Sequence, residues 1–78
     1  MTMDTTNLNT FIDTFYPAHT AYQIYNEGII NSYELSNELD LILETLFYVD
    51  IINKTEYLTL SSEKRELIKR LPYEATNV

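Results

Sequence analysis

The side chains with the clearest potential for chemistry are two pairs of carboxylates, each with a spacing of four residues: Glu34 with Glu38, and Asp40 with Glu44. Such pairs perform general acid catalysis when one carboxyl group lies in a dry cleft that keeps it protonated. Both pairs fall on the solvent side of one predicted helix, where no cleft is expected. Histidine occurs once, as His19, and cysteine does not occur. We therefore expect that the protein is not an enzyme.

The same carboxylates are also candidate ligands for a metal ion. Glu34, Glu38 and Asp40 belong to a single predicted helix, so they would converge on one ion only with help from another element. A zinc site needs more histidine and cysteine ligands than the sequence contains, and a phosphate-binding loop needs more than its one glycine. We expect no metal ion and no cofactor.

Two apolar residues, Leu41 and Tyr48, lie one heptad apart among these carboxylates. Apolar anchors inside a charged collar are typical of protein-binding surfaces, and tyrosine is frequent at their centres. Two alternatives stay open: burial of both residues against a neighbouring helix, and a homodimer seam with Tyr33, Leu41 and Tyr48 as oligomer contacts. The predicted protein-binding residues are Glu34, Asn37, Glu38, Asp40, Leu41, Glu44, Thr45 and Tyr48.

The charge of the chain is distributed unevenly. Residues 1–53 contain eight carboxylates and no lysine or arginine, whereas all five basic residues follow, and the net charge is −7. This surface would repel nucleic acids and anionic membranes, and it would attract a basic protein surface. The late basic cluster spreads around a helix near its C-terminus, where the helix dipole stabilises cations, and does not form a stripe. That cluster consists of Lys64, Arg65, Lys69 and Arg70.

The elements that must position these residues are predicted to be helices. Glycine occurs once and proline twice, and apolar residues recur at helical spacing. Thr5 or Thr6 is expected to cap the first helix, and Pro17 either separates it from the second or kinks one helix over 6–27. The fold class is therefore all-α, a small bundle of three to five helices, with predicted ranges of about 6–16, 18–27, 32–49 and 54–71.

A short pattern occurs twice at an offset of 22 residues: EGIINSYEL at 27–35 and VDIINKTEY at 49–57. Each copy contains an asparagine followed three residues later by a glutamate, which is the spacing of a capping box. The pattern predicts that a helix ends, that two isoleucines enter the core, and that the asparagine begins the next helix. Gene duplication and convergent turn chemistry both remain open as its origin.

The length of the chain predicts a single domain. We expect a flexible N-terminus over residues 1–5, a helical domain over 6–72 and a frayed tail over 73–78. The absence of cysteine fits a reducing cytoplasm, and neither a signal peptide nor a membrane span is expected. Because a domain of this size has a small core and no disulfide or zinc site, oligomerisation is its remaining means of extra stability, and we expect a homodimer.

These features together predict a small acidic, non-enzymatic module that binds a protein with a basic surface, without direct contact to nucleic acid or membrane. A more specific form of this prediction is a phage or mobile-element inhibitor of a nucleic-acid-handling protein in the host cytoplasm. It rests on the general similarity of the chain to small acidic phage proteins of that class. One alternative is a structural homo-oligomeric helical protein. Another is a helix-turn-helix regulator, which the acidic character of the recognition segment disfavours.

Overall fold

The computed structural model describes residues 7–75, which form four helices: α1 (Leu8–Thr14), α2 (Tyr16–Asn26), α3 (Ser32–Tyr48) and α4 (Lys54–Arg70). The all-α bundle predicted from the sequence is confirmed. Helix α3 packs against α2 and α4, while α1 packs against α2 and α4. Each helix therefore has two neighbours, and the face of α3 turned away from α2 and α4 is exposed to solvent.

Helix α1 is capped by groups other than those expected. The Oδ1 atom of Asn7 accepts hydrogen bonds from the backbone of the first turn, at 2.8 Å from Asn9 N. A carboxylate of α4 also contributes, because Glu63 Oε1 accepts from Leu8 N at 2.9 Å. Thr5 and Thr6, like the predicted flexible segment 1–5, lie outside the described residues.

Phe15 separates α1 from α2. Its backbone is extended, with φ −97° and ψ 112°, so the helical path is interrupted. The N–H of Phe15 still donates to Phe11 O, and its carbonyl accepts from His19 N, both at 2.9 Å. Pro17 follows in the first turn of α2, where a missing N–H removes no helical bond. The structure thus contains two helices here and not one kinked helix.

The core is formed by one face of each helix together with Ile52. Two large apolar residues beside it are exposed: Tyr16 begins α2 on the solvent side, and Val49 lies past the end of α3. Tyr25, by contrast, is fully buried, as the spacing of the α2 face predicts. The buried apolar residues are Leu8, Phe11, Ile12, Ala18, Ala21, Tyr25, Leu35, Leu39, Leu43, Leu46, Ile52 and Leu60.

The repeated pattern marks two helix ends with the same geometry. Gly28 after α2 and Asp50 after α3 both have a left-handed backbone, with φ of 80° and 64°. In each copy the N–H of this residue and of the next one bond back to carbonyls of the last helical turn, which is the Schellman arrangement. These bonds are Gly28 N to Tyr25 O, Ile29 N to Ile24 O, Asp50 N to Phe47 O, and Ile51 N to Leu46 O.

The two isoleucines of each copy do not both enter the core. Ile29 and Ile51 are exposed, while Ile30 is half-buried and Ile52 is buried. The prediction of two core isoleucines is therefore wrong for the first of each pair. The cause is the left-handed residue before it, which turns the chain out of the helix so that only the second side chain faces inward.

Both predicted capping boxes are present at the starts of α3 and α4. Asn31 Oδ1 accepts from Glu34 N at 2.8 Å, and Glu34 Oε1 accepts from Asn31 N at 2.9 Å. Asn53 and Glu56 form the same reciprocal pair at 2.8 Å. The repeat is thus one structural unit used twice: a left-handed helix end followed by a capped helix start.

The segment after α4 is attached to the rest of the bundle. Tyr73 O accepts from Ser32 N at 2.7 Å, and the Tyr73 hydroxyl accepts from Asn31 Nδ2 at 2.8 Å. Pro72 O accepts a hydrogen bond from the buried Tyr25 hydroxyl. These three hydrogen bonds hold Pro72 and Tyr73 against α2 and the start of α3, and the frayed tail over residues 73–78 stays a prediction. Residues 76–78 lie outside the described part of the chain.

Candidate protein-interaction surface

The solvent face of α3 carries the residues that were predicted to bind a protein. Glu34, Glu38, Leu41, Thr45 and Tyr48 follow one another at helical spacing, so they form a single stripe along the helix. Leu41 is 61% exposed and Tyr48 is 86% exposed. Neither side chain is covered by another helix within residues 7–75, so the alternative of burial against a neighbour does not apply there.

The carboxylates of this stripe are in different states. Glu34 is engaged in the capping box at the start of α3. Glu38 and Glu44 are exposed, and no ion pair involving either of them occurs among the described residues. Glu38 and Glu44 lie three residues before and three residues after Leu41, so they border this side chain with negative charge. Glu44 also lines a cleft on the α4 side together with Lys64 and Arg65.

Asp40, one of the predicted residues, pairs with a basic residue of α4. Its Oδ1 atom lies 2.8 Å from Lys64 Nζ of α4, and its side chain is 45% exposed. Lys64 is almost completely buried and also donates to Ser36 Oγ at 3.1 Å. Asp40 therefore belongs to an ion pair between α3 and α4, and its place in the charged collar around Leu41 stays a prediction.

Lys64 was missed as an inward-facing residue, although the sequence contained a signal. It lies four residues after buried Leu60 and four before half-buried Ile68, which places it on the inner face of α4. A lysine can occupy such a position when its stem packs among apolar groups and its ammonium group meets a carboxylate. The late basic cluster is therefore not four equivalent surface charges.

An apolar groove lies beside Leu41, where α3 passes the junction of α1 and α2. It has about 500 Å³ of empty space and is open to solvent. Sequence reasoning missed this groove because residues on opposite sides of it are more than 20 positions apart in the chain. Its lining consists of Phe15, Pro17, Leu41, Ile42, Thr45 and Leu46.

The remaining predicted residues are not brought together. Asn37 is exposed on α3. Tyr33 is 69% exposed at the start of the helix, fifteen residues before Tyr48. At a rise of 1.5 Å per residue this separation is about 22 Å along the axis, so Tyr33 and Tyr48 mark opposite ends of α3. The three predicted oligomer contacts therefore do not form one compact patch.

A second exposed apolar region surrounds the turn between α3 and α4. Val49 and Ile51 flank the left-handed Asp50, and both are more than half exposed. Beside them, the Phe47 ring stacks on the Tyr57 ring of α4 with a centroid distance of 5.0 Å. This region is continuous in sequence with Tyr48, so apolar surface extends beyond the stripe at the C-terminal end of α3.

Other classes of site have no counterpart among residues 7–75. No three histidine or carboxylate side chains in this range are grouped so that they could hold a metal ion. None of the four helices is both long and apolar enough to cross a membrane. His19 is exposed on α2. The chain matches no protein-family model, no curated protein and no solved structure.

Proposed function

We propose that the protein is a non-enzymatic interaction module that binds a basic surface of another protein through the solvent face of α3. The observation that carries this proposal is that exposed Leu41 lies between two exposed carboxylates, Glu38 and Glu44, neither of which forms an ion pair among the described residues. An apolar centre with a charged rim is the usual anatomy of a protein interface. The first 53 residues contain no lysine or arginine, so α3 and the segments before it carry no such positive charge that would reduce the negative potential of this surface.

The charge acts mainly on the rate and specificity of association. A net charge of −7 on a molecule with a longest dimension of 39 Å attracts a basic partner over distances of about 8 Å at physiological salt. Once the partner is bound, desolvated apolar contacts of Leu41 and Tyr48 slow its release. In its specific version, the module is a phage or mobile-element inhibitor that occupies the nucleic-acid-binding surface of its target.

The test compares two double variants that change the net charge equally. Partners are captured from cell lysate, and one of them is purified for measurements of the dissociation constant (Kd). Glu38→Gln/Glu44→Gln removes two charges beside Leu41, whereas Glu27→Gln/Glu74→Gln removes two exposed charges elsewhere. We expect the first variant to bind about tenfold more weakly than the second, because only the first loses charges at the interface.

Measurements of the Kd of the same complex at increasing salt concentration test whether charge attracts the partner. The wild-type Kd is expected to increase about tenfold between roughly 50 and 300 mM salt, because ions screen exposed charges. Binding that does not change over this range, or equal loss of affinity in both double variants, would rule out the proposed acidic interface.

A second candidate is a structural homo-oligomer, and the apolar region around the α3–α4 turn favours it. Tyr48, Val49 and Ile51 are all more than half exposed there. Large exposed apolar regions on small proteins commonly mark contacts between chains. Light scattering distinguishes the two candidates: a dimer that Tyr48→Asp dissociates supports the oligomer, and a monomer at micromolar concentration removes it.

A further inference from the structure

We propose that the groove between the α1–α2 junction and α3 receives the apolar face of a basic amphipathic helix from the partner protein. This inference rests on the proposed function and specifies the form of the partner. The binding site then includes a second wall outside α3, formed by Phe15 and Pro17, in addition to the charged face of α3.

The groove is preformed on its α1–α2 side. Pro17 has a fixed backbone angle, and the Phe15 ring stacks on the buried Phe11 ring with a centroid distance of 5.3 Å. A wall that is already ordered loses little conformational entropy when a ligand binds. On the α3 side Leu41 forms the rim, and Thr45 has its hydroxyl bonded to Leu41 O at 2.8 Å. The hydroxyl of Thr45 therefore already has a partner in its own helix.

The character of the lining favours a helix as the occupant. Five of the six lining residues are apolar, and the sixth is Thr45. No strand occurs among residues 7–75, so an extended peptide would find no sheet edge for its backbone hydrogen bonds. A helix satisfies its own backbone and presents apolar side chains at every third or fourth position, which is how amphipathic helices bind apolar grooves.

The charge around the groove requires this helix to be basic. Glu38 lies three residues before Leu41 on α3, and exposed Asp13 lies two residues before Phe15 on α1. All of these segments lie within the 53 residues that have no lysine or arginine. A second copy of this chain would bring a net charge of −7 to a negative rim, so repulsion disfavours it as the occupant. Lysine or arginine side chains beside the apolar face of the partner helix would pair with the carboxylates at the edge of the groove.

The probe for the test is a designed, fluorescently labelled peptide of about 18 residues, long enough for five turns of helix. It has leucines at helical spacing on one face and lysines on the other. One control peptide has the same composition in scrambled order, and another has glutamate in place of lysine. Fluorescence anisotropy measures the Kd, and methyl shifts of Leu41, Ile42 and Leu46 in NMR spectra locate the peptide.

The variants are a matched pair of leucine substitutions. Leu41→Gln changes the rim of the groove, and Leu58→Gln makes the same change at a similarly exposed position of α4 outside the groove. Because both side chains are more than half exposed, both variants are expected to fold, which circular dichroism checks. We expect Leu41→Gln to weaken binding of the basic peptide about tenfold, as for an interface anchor, and Leu58→Gln to change it less than about twofold.

The outcomes separate the groove from the charged surface. Equal binding of the scrambled peptide, or equal effects of Leu41→Gln and Leu58→Gln, overturns the proposal of a helix in the groove. If Glu38→Gln/Glu44→Gln still weakens binding in that case, the acidic interface stands and only the groove is lost. A wild-type dimer that Leu41→Gln dissociates shows that a second copy fills the groove, and this also overturns the inference.

Discussion

At the scale of single residues, the contact between Asp40 and Lys64 shows how unequal the two members of an ion pair can be. The ammonium group is buried, whereas the carboxylate side chain is 45% exposed. Water can therefore hydrate Asp40 after its partner is lost, but it cannot reach Lys64 to the same extent. Loss of the carboxylate leaves a buried charge uncompensated, which is the expensive case.

We expect Asp40→Ala to lower the free energy of unfolding by about 1–2 kcal/mol, because it leaves the Lys64 charge without a carboxylate. The loss is not larger because Ser36 Oγ still accepts a hydrogen bond from Lys64. Lys64→Met keeps most of the buried stem and leaves a hydrated carboxylate, so it should cost less than about 1 kcal/mol. Urea unfolding followed by circular dichroism measures both. Glu38→Ala, an exposed change on α3, is the control, and a larger loss for Lys64→Met than for Asp40→Ala would contradict the argument.

The Tyr25 hydroxyl couples the stability of the fold to alkaline pH. Burial raises the pKa of this phenol above its ordinary value of 10.0, and nearby Tyr22 adds to the increase. The folded state therefore prefers the protonated form, which donates to Pro72 O. This contribution is complete below the unfolded pKa of about 10 and is lost as the pH rises through the higher folded pKa.

Tyr25→Phe is accordingly expected to lower the free energy of unfolding by about 1 kcal/mol at neutral pH, because it removes one hydrogen bond. Between about pH 9 and 11 the wild type should lose stability more steeply than this variant, whose residue 25 does not titrate. Urea midpoints across this range give the comparison, with exposed Tyr48→Phe as the control. Parallel pH profiles for wild type and Tyr25→Phe would refute the coupling.

At the scale of elements, the two helix ends built from the repeated pattern have different residues at the left-handed position. Gly28 adopts its left-handed backbone without steric cost, whereas Asp50 adopts nearly the same angle with a side chain present. A Cβ atom at residue 28 would lie 3.9 Å from its nearest neighbour, Ala75 O, so there is space for it. A side chain at residue 28 would therefore destabilise the fold only through strain in the left-handed backbone, and not through a steric clash with neighbouring atoms.

The exchange can be made in both directions. Gly28→Ala should lower the free energy of unfolding by about 1 kcal/mol, because alanine strains the left-handed backbone. Asp50→Gly should raise it by about 0.5 kcal/mol, since relief of strain exceeds the added entropy of the unfolded chain. Chemical unfolding of the two variants and the wild type tests this, and a loss of stability in Asp50→Gly would show that the aspartate side chain contributes to the turn.

The elements that the sequence predicted well are those whose signals are local. Helical spacing, the capping boxes and the helix ends in the repeated pattern each depend on residues within one turn of one another. The groove, the attachment of Tyr73 and the contact of Lys64 with Asp40 join residues from 24 to 42 positions apart. No local pattern contains such contacts, so the sequence predicted none of these three.

At the scale of the whole molecule, the main electrostatic feature is self-repulsion. Twelve carboxylates face five basic residues, and one of those five is buried. Two ion pairs occur within residues 7–75, and one of them, Lys69 with Glu66, is well exposed. The folded state concentrates this excess negative charge more than the unfolded chain does, and added salt screens it.

The thermal midpoint of unfolding is therefore expected to rise by about 3–6 °C between roughly 10 and 300 mM sodium chloride, which corresponds to a gain of somewhat under 1 kcal/mol for a domain of this size. Differential scanning calorimetry measures it. Glu38→Gln/Glu44→Gln, with two fewer charges, should show a smaller rise. A midpoint that falls with salt would mean that ion pairs outweigh repulsion.

The bond from Leu8 N to Glu63 has a consequence for how the molecule is made. Helix α1 has seven residues, and helices shorter than about 12 residues are marginal alone in water. One of its capping groups comes from a residue 55 positions later in the chain. Of the four helices, α1 precedes α4 in translation, so α1 gains this partner only after most of α4 has been synthesised. During synthesis, α1 therefore exists for a time without one of the groups that cap it.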